Sequence, residues 1–98
     1  MIEAQNILSD NTVTQIKGNI ASDMDGEKVL MSIKNGRYYN LGKLGGEIWD
    51  LLETPITINN LISNLISKYE VKRSECEEQV LAFLEQLKKE NLIDLGKK

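Results

Sequence analysis

Histidine is absent from the 98 residues of this chain, and there is a single cysteine, Cys76. The first absence removes the side chain most used as a general base near neutral pH and as a metal ligand. The second excludes an intrachain disulfide and a thiolate cluster for zinc, and it fits a reducing compartment. An excess of basic charge is missing too: the formal net charge is −3, whereas phosphate binding normally shows a basic face. No apolar stretch approaches the roughly 20 residues that span a bilayer. The opening MIEAQNILSDN lacks the basic start and apolar run of a secretory signal. Together these absences point to a cytoplasmic protein that is not an enzyme, carries no metal or cofactor, and engages neither membrane nor nucleic acid.

What is present is a globular composition, 41% hydrophobic and 28% charged, with no repeat and no low-complexity tract. One domain over 1–98 is expected, large enough for a modest core but not for a core plus a deep enzyme cleft. Residues 1–11 are polar and without period, and read as a loose N-terminal extension. TVTQIK at 12–17 reads as a weak first strand, and NIASDMDGEK as a loop turning at Asp25-Gly26. In KVLMSIK, Val29, Met31 and Ile33 alternate with Leu30, Ser32 and Lys34, the period of a half-buried strand. Asn35-Gly36 is a type I′ turn signal, and Arg37–Leu41 is the return strand, with Tyr39 and Leu41 on one face and Tyr38 and Asn40 on the other.

Three helices are expected next. Leu44, Ile48, Leu51 and Leu52 fall at i, i+4, i+7 and i+8 over 43–53, with Trp49 beside the stripe. Thr54-Pro55 ends that helix. Thr57 can cap the next, whose apolar face is Ile58, Leu61, Ile62, Leu65, Ile66 and Tyr69. Ser74 with Glu77 reads as a capping box for the last helix, which buries Cys76, Val80, Phe83, Leu84 and Leu87. Acids in its first turn and Lys88 and Lys89 in its last match the macrodipole. Asn91 suits a left-handed cap that folds Leu92 onto the core. The fold class is α+β, a three-stranded antiparallel sheet followed by three helices, like a winged helix-turn-helix.

Chemistry is scarce in this pattern. Cys76 sits near a helix N-terminus, which lowers a thiol pKa, but it lies on an apolar stripe where a free cysteine packs as a small hydrophobe. Gly42, Gly45 and Gly46 match neither phosphate-binding fingerprint and read as a corner of close backbone approach. Asp23, Asp25 and Glu27 lack the calcium-loop pattern. A DNA-reading winged helix would carry arginine, lysine, asparagine or glutamine on its recognition helix; here the middle helix offers Asn59, Asn60, Ser63, Asn64 and Ser67, polar but uncharged, and the last helix opens with acids.

Order and spacing carry more than any single residue. Tyr38-Tyr39, Leu41, Gly45, Ile48-Trp49, Leu51-Leu52, Thr57, Leu61, Phe83-Leu84 and Leu87, spread from about residue 28 to 93, resemble the PqqD family, the peptide-recognition elements of ribosomally made, modified peptides. Two positions depart from the family pattern: Gly42 stands where an asparagine is common, removing a helix cap, and Asn91 where glycine is usual. The resemblance is strongest to stand-alone members of lasso-peptide systems. It implies that a precursor's leader segment adds as a strand to the third strand and lies in a cleft against the last helix. The implied contacts are Arg37, Tyr38, Tyr39, Asn40 and Leu41 on the strand, with Cys76, Gln79, Val80, Phe83 and Leu87 on the helix. Leu41 and Leu87 are equally well explained as core, and Tyr38, Cys76, Gln79 and Val80 are the stronger contacts. A lasso leader would bring a Tyr-x-x-Pro element, and the implied partners are a leader peptidase and a cyclase. The alternatives are a PqqD-like chaperone for a radical-enzyme peptide-modification pathway and, from another class, the DNA-binding winged helix. Val80→Glu is expected to weaken leader binding and leave the fold intact.

Overall fold

A computed structural model describes residues 11–96, so all of the expected N-terminal extension except Asn11 lies outside the described residues. The elements run β1 (Thr12–Gln15), β2 (Asn19–Met24), β3 (Glu27–Ser32), β4 (Arg37–Leu41), α1 (Gly42–Leu51), β5 (Ile56–Thr57), α2 (Ile58–Tyr69), α3 (Arg73–Lys89) and β6 (Ile93–Gly96). A three-stranded antiparallel sheet in the order β2-β3-β4, followed by three helices, gives the α+β class read from the sequence.

The membership of that sheet differs from expectation. The predicted first strand, β1, lies in a second small sheet between β5 and β6. The missing member is β2, in the stretch read as a loop. None of its residues is fully buried, so no apolar period marks it, and backbone pairing to β3 carries it. Its turn does sit at Asp25-Gly26: Met24 pairs with Glu27, and the two residues between have φ of 56° and 83°, the positive pair that a type I′ hairpin needs.

The second turn is not of that type. Ser32 pairs with Arg37, leaving a four-residue connection in which Gly36 alone has positive φ, 67°. Ser32 organises it: its carbonyl accepts from Gly36 N–H (2.8 Å) and its hydroxyl from Asn35 N–H (3.0 Å). That explains why a serine is buried here. The inward face of β3 is therefore Leu30 and Ser32, while Ile33 is exposed, the reverse of the face that apolar alternation suggests.

Helix periodicity was a better guide. Ile48 and Trp49 of α1, Ile58, Leu61, Ile62 and Leu65 of α2, and Cys76, Val80, Leu84 and Leu87 of α3 are buried in one core with Val13, Leu30, Leu92 and Ile93. The Thr57 hydroxyl accepts from Asn60 N–H at 3.1 Å, the expected cap of α2. At the end of α3, Asn91 has φ 61°, Leu92 N–H reaches the Leu87 carbonyl and Asn91 N–H the Lys88 carbonyl, a Schellman closure that folds Leu92 inward. The capping box is not formed. The N-cap of α3 is Lys72 with no side-chain bond, and Ser74 lies inside the first turn; the helix start is tied instead by Arg73 donating to the Asn59 carboxamide at 2.7 Å.

At the start of α1 the N-cap is Leu41, without a side-chain bond, as Gly42 implied. The Asn40 carboxamide oxygen accepts the Gly42 N–H at 2.9 Å instead, and Gly42 holds a φ of 75°, which favours glycine. Gly46 lets α1 lie directly on β3, since a Cβ there would stand 2.6 Å from Lys28 Cβ. The Lys28 ammonium then bridges Asp50 (2.9 Å) and Asp23 (3.3 Å).

Candidate functional site

β4 pairs with β3 alone among the described residues. Its other edge runs beside two adjoining cavities along α3. The larger, about 460 Å³, is walled by α1, α2 and α3, with Leu41, Leu44, Ile48, Tyr69, Val80 and Phe83 on its surface. The smaller, about 370 Å³, lies between β4 and the C-terminal half of α3, and includes Tyr39, Gln86, Leu87 and Glu90. Leu41 and Phe83 line both, so the two form one cleft with a waist at these side chains. Gly45 sets the waist: a Cβ on it would stand 3.0 Å from Phe83 Cζ and 3.2 Å from Leu41 Cβ. The glycine read as a corner of close approach thus acts within helix α1, admitting the Phe83 ring.

Each end of the cleft is tied by polar contacts. At the narrow end the Tyr39 hydroxyl donates to Glu90 Oε1 (2.8 Å) and accepts from Asn35 Nδ2 (3.0 Å), which also donates to the Glu90 carbonyl (2.9 Å). The Arg37 guanidinium stands 3.9 Å from the same carboxylate. The four-residue turn is thereby fastened to the end of α3, which fixes the distance from β4 to the helix. At the wide end, the Glu47 carboxylate of α1 accepts from the Lys68 ammonium and the Tyr69 hydroxyl of α2. Those two bonds, Lys68 first, hold the Glu47 carboxyl below its ordinary value, and the carboxylate raises the Tyr69 phenol.

Of the residues read from the sequence, Leu41, Cys76, Gln79, Val80 and Phe83 line the larger cavity, and Tyr39, Asn40, Leu41, Phe83 and Leu87 the smaller. Arg37 and Tyr38 line neither. Tyr38 is 74% exposed and lies on the face of β4 opposite Tyr39, because neighbouring strand residues alternate. Val80 is only 2% exposed, so Val80→Glu would bury an unpaired charge and unfold the site rather than test it. Leu44, Gly45, Ile48, Leu65, Tyr69 and Val71 were missed as lining. No sequence signal separates them from core; the structure does, leaving Leu44, Tyr69 and Val71 39–41% exposed.

Burial, before any charge, pushes the Cys76 thiol upward; Arg73 opposes and Glu77 adds to the shift. Among the described residues no group of three histidine, cysteine or carboxylate side chains could hold a metal. No helix there is long and apolar enough to cross a membrane. The lining is mostly apolar, with Asn40, Glu75, Gln79, Gln86 and Glu90 among its polar members, the usual makeup of a groove that selects by shape.

No curated protein sequence matches the chain. Among solved structures, TbiB1 in complex with the TbiA(beta) leader peptide is similar, with a TM-score of 0.75 and 26% identity, over 83% of this chain and 94% of that one. A second, with a TM-score of 0.78 and 15% identity over 95% and 99% of the two chains, shares the fold; it is the PqqD truncation of Methylobacterium extorquens PqqCD, a stand-alone recognition element for ribosomally synthesised and post-translationally modified peptides. The family model described as coenzyme PQQ synthesis protein D (PqqD) matches residues 27–93, from the first residue of β3 to the first of β6: the chain belongs to the PqqD family.

Proposed function

We propose that this chain captures the leader segment of a ribosomally made precursor peptide, a lasso-peptide leader in class, and presents it to a separate leader peptidase and cyclase in the cytoplasm. The observation that carries this is the edge of β4 that has no strand partner among the described residues and runs along a two-chambered apolar cleft. An open strand edge is a template for strand addition, in which backbone pairing supplies affinity and side-chain pockets supply choice. Likeness to TbiB1, solved with a leader peptide bound, supports the class of ligand. The contacts would be the backbone of Arg37–Leu41, with Tyr39, Leu41, Cys76, Gln79, Val80, Phe83 and Leu87 around the anchoring side chains.

The magnitudes suit a carrier. About four backbone hydrogen bonds at roughly 1 kcal/mol each and two buried anchors at roughly 1.5–3 kcal/mol each total about 7–10 kcal/mol. Ordering a flexible leader takes back about 2–5 kcal/mol of this, leaving about 2–8 kcal/mol, so that micromolar affinity is reached only at the upper end. The role in this reading is recognition rather than catalysis, which the mostly apolar walls of the cleft support.

The test is fluorescence polarisation with labelled TbiA(beta) leader peptide, its alanine-substituted copies and duplex DNA. Saturable binding of the peptide, lost when its bulky anchors become alanine, is expected. No peptide binding alongside salt-sensitive retention of DNA would overturn the reading.

A further inference from the structure

β4 has two faces, and one of them, with Tyr39 and Leu41, is turned toward the core and the cleft. On the other, Ile20 of β2 pairs with Met31 of β3, and Met31 pairs with Tyr38 of β4. Residues directly opposite in an antiparallel pair share a face, so these three side chains form an apolar row across the whole sheet. The row faces away from the core, because Leu30 and Ser32 on either side of Met31 point inward and are buried. Ile20 is 50% exposed and Tyr38, at the open edge, far more so. The next row along the strands, Ser22, Val29 and Asn40, ends instead in an amide whose two ends are already bonded to Glu27 and to Gly42 N–H.

We infer that Tyr38 reads a bulky apolar side chain of the bound peptide that points away from the cleft, so that the peptide is selected on both of its faces. The inference rests on the reading that a peptide strand adds to β4. Given that addition, parallel or antiparallel, the geometry leaves no choice: alternate residues of the added strand go to opposite faces. One of them must stand beside Tyr38 and extend the row from three strands to four. Its neighbours in the peptide point into the cleft. The residue two positions away meets the bonded Asn40 amide, where no apolar partner is offered. Tyr38 is thus a specificity-determining residue, working by cross-strand ring contact and not through its hydroxyl.

A displayed library of random 16-residue peptides, selected separately on the wild-type protein and on the Tyr38→Ala, Tyr38→Phe and Leu44→Ala variants, tests this. Leu44 lines the cleft and is exposed, so its truncation leaves the fold in place. Wild type is expected to enrich peptides with bulky apolar residues at positions of both parities. Tyr38→Ala should erase the preference at one position and weaken a wild-type-selected peptide by up to about fivefold; Tyr38→Phe should keep both. Leu44→Ala should relax a position an odd number of residues from the one that Tyr38 controls. A preference unchanged by Tyr38→Ala, or two controlled positions of the same parity, would overturn the inference while leaving strand addition intact. No enrichment on wild type would overturn strand addition itself, and the inference with it.

Discussion

The described residues form two three-stranded sheets built on opposite plans. In β2-β3-β4 each strand follows the last through a turn of two or four residues, and one face stays open to solvent. In β5-β1-β6 the partners come from residues 12–15, 56–57 and 93–96, and its inward residues Val13 and Ile93 are buried. β1 also closes the end of α1: Gln15 N–H and the Thr14 hydroxyl both donate to the Leu52 carbonyl, and the Gln15 amide to the Trp49 carbonyl at 2.7 Å. The difference teaches a division of labour. Long-range pairing of very short strands locks the helices, while the local meander, needing little core, can leave an edge free to bind.

The contrast can be broken most sharply on the locking side. Leu92 is almost fully buried where α3 passes into β6. Leu92→Ala should cost about 2–5 kcal/mol in chemical denaturation, whereas Ile20→Ala, on the open face of the meander, should stay within about 0.5 kcal/mol. Equal costs would mean that the two sheets share the load.

A second variant acts on the binding side. Leu44 lines the wide chamber and is 40% exposed. Leu44→Glu should leave the denaturation midpoint nearly unchanged yet weaken leader binding about tenfold or more, the loss of one anchor of about 1.5 kcal/mol or more. Unchanged affinity would move the anchor out of this chamber. Gly45→Ala separates the two properties more finely. Alanine gains about 0.5–1 kcal/mol of helix preference, but its methyl must displace the Phe83 ring by a few tenths of an ångström. Stability held or raised, with reduced affinity in the same titration, is the expected pair of outcomes.

The smallest effect is expected at the Glu47 clamp. The folded carboxyl is held below its ordinary value of 4.5 by Lys68 and Tyr69. Its stabilisation is therefore full above that value and is lost as the pH falls through the lower folded one. Glu47→Gln should lower the melting temperature slightly at neutral pH, and the gap to wild type should close in acid. A gap that widened in acid would contradict the sign.

How legible this was depends on what carries each element. Buried helical stripes declare themselves, and so did the Thr57 cap and the left-handed Asn91, because those depend on neighbours within one turn. β2 was invisible, since a strand exposed on both sides has no apolar period. Asn35 was read as a turn residue for its backbone and proved to matter through its amide, which reaches Glu90 across 55 positions of sequence. The cleft was half legible: its β4 and α3 linings were among the residues the family pattern named, while Leu44 and Tyr69 were read as part of the helices' apolar stripes and Val71 was not singled out.

By itself the sequence determined the helices, the α+β class, the family and the poverty of catalytic groups, because composition and local period depend on no distant contact. Tertiary structure alone decided which face of β3 turns inward, which strands share a sheet and that Tyr38 stands outside the cleft that Tyr39 lines. Those outcomes rest on register, and register is set by what packs and pairs across the fold, not by the residues next in the chain.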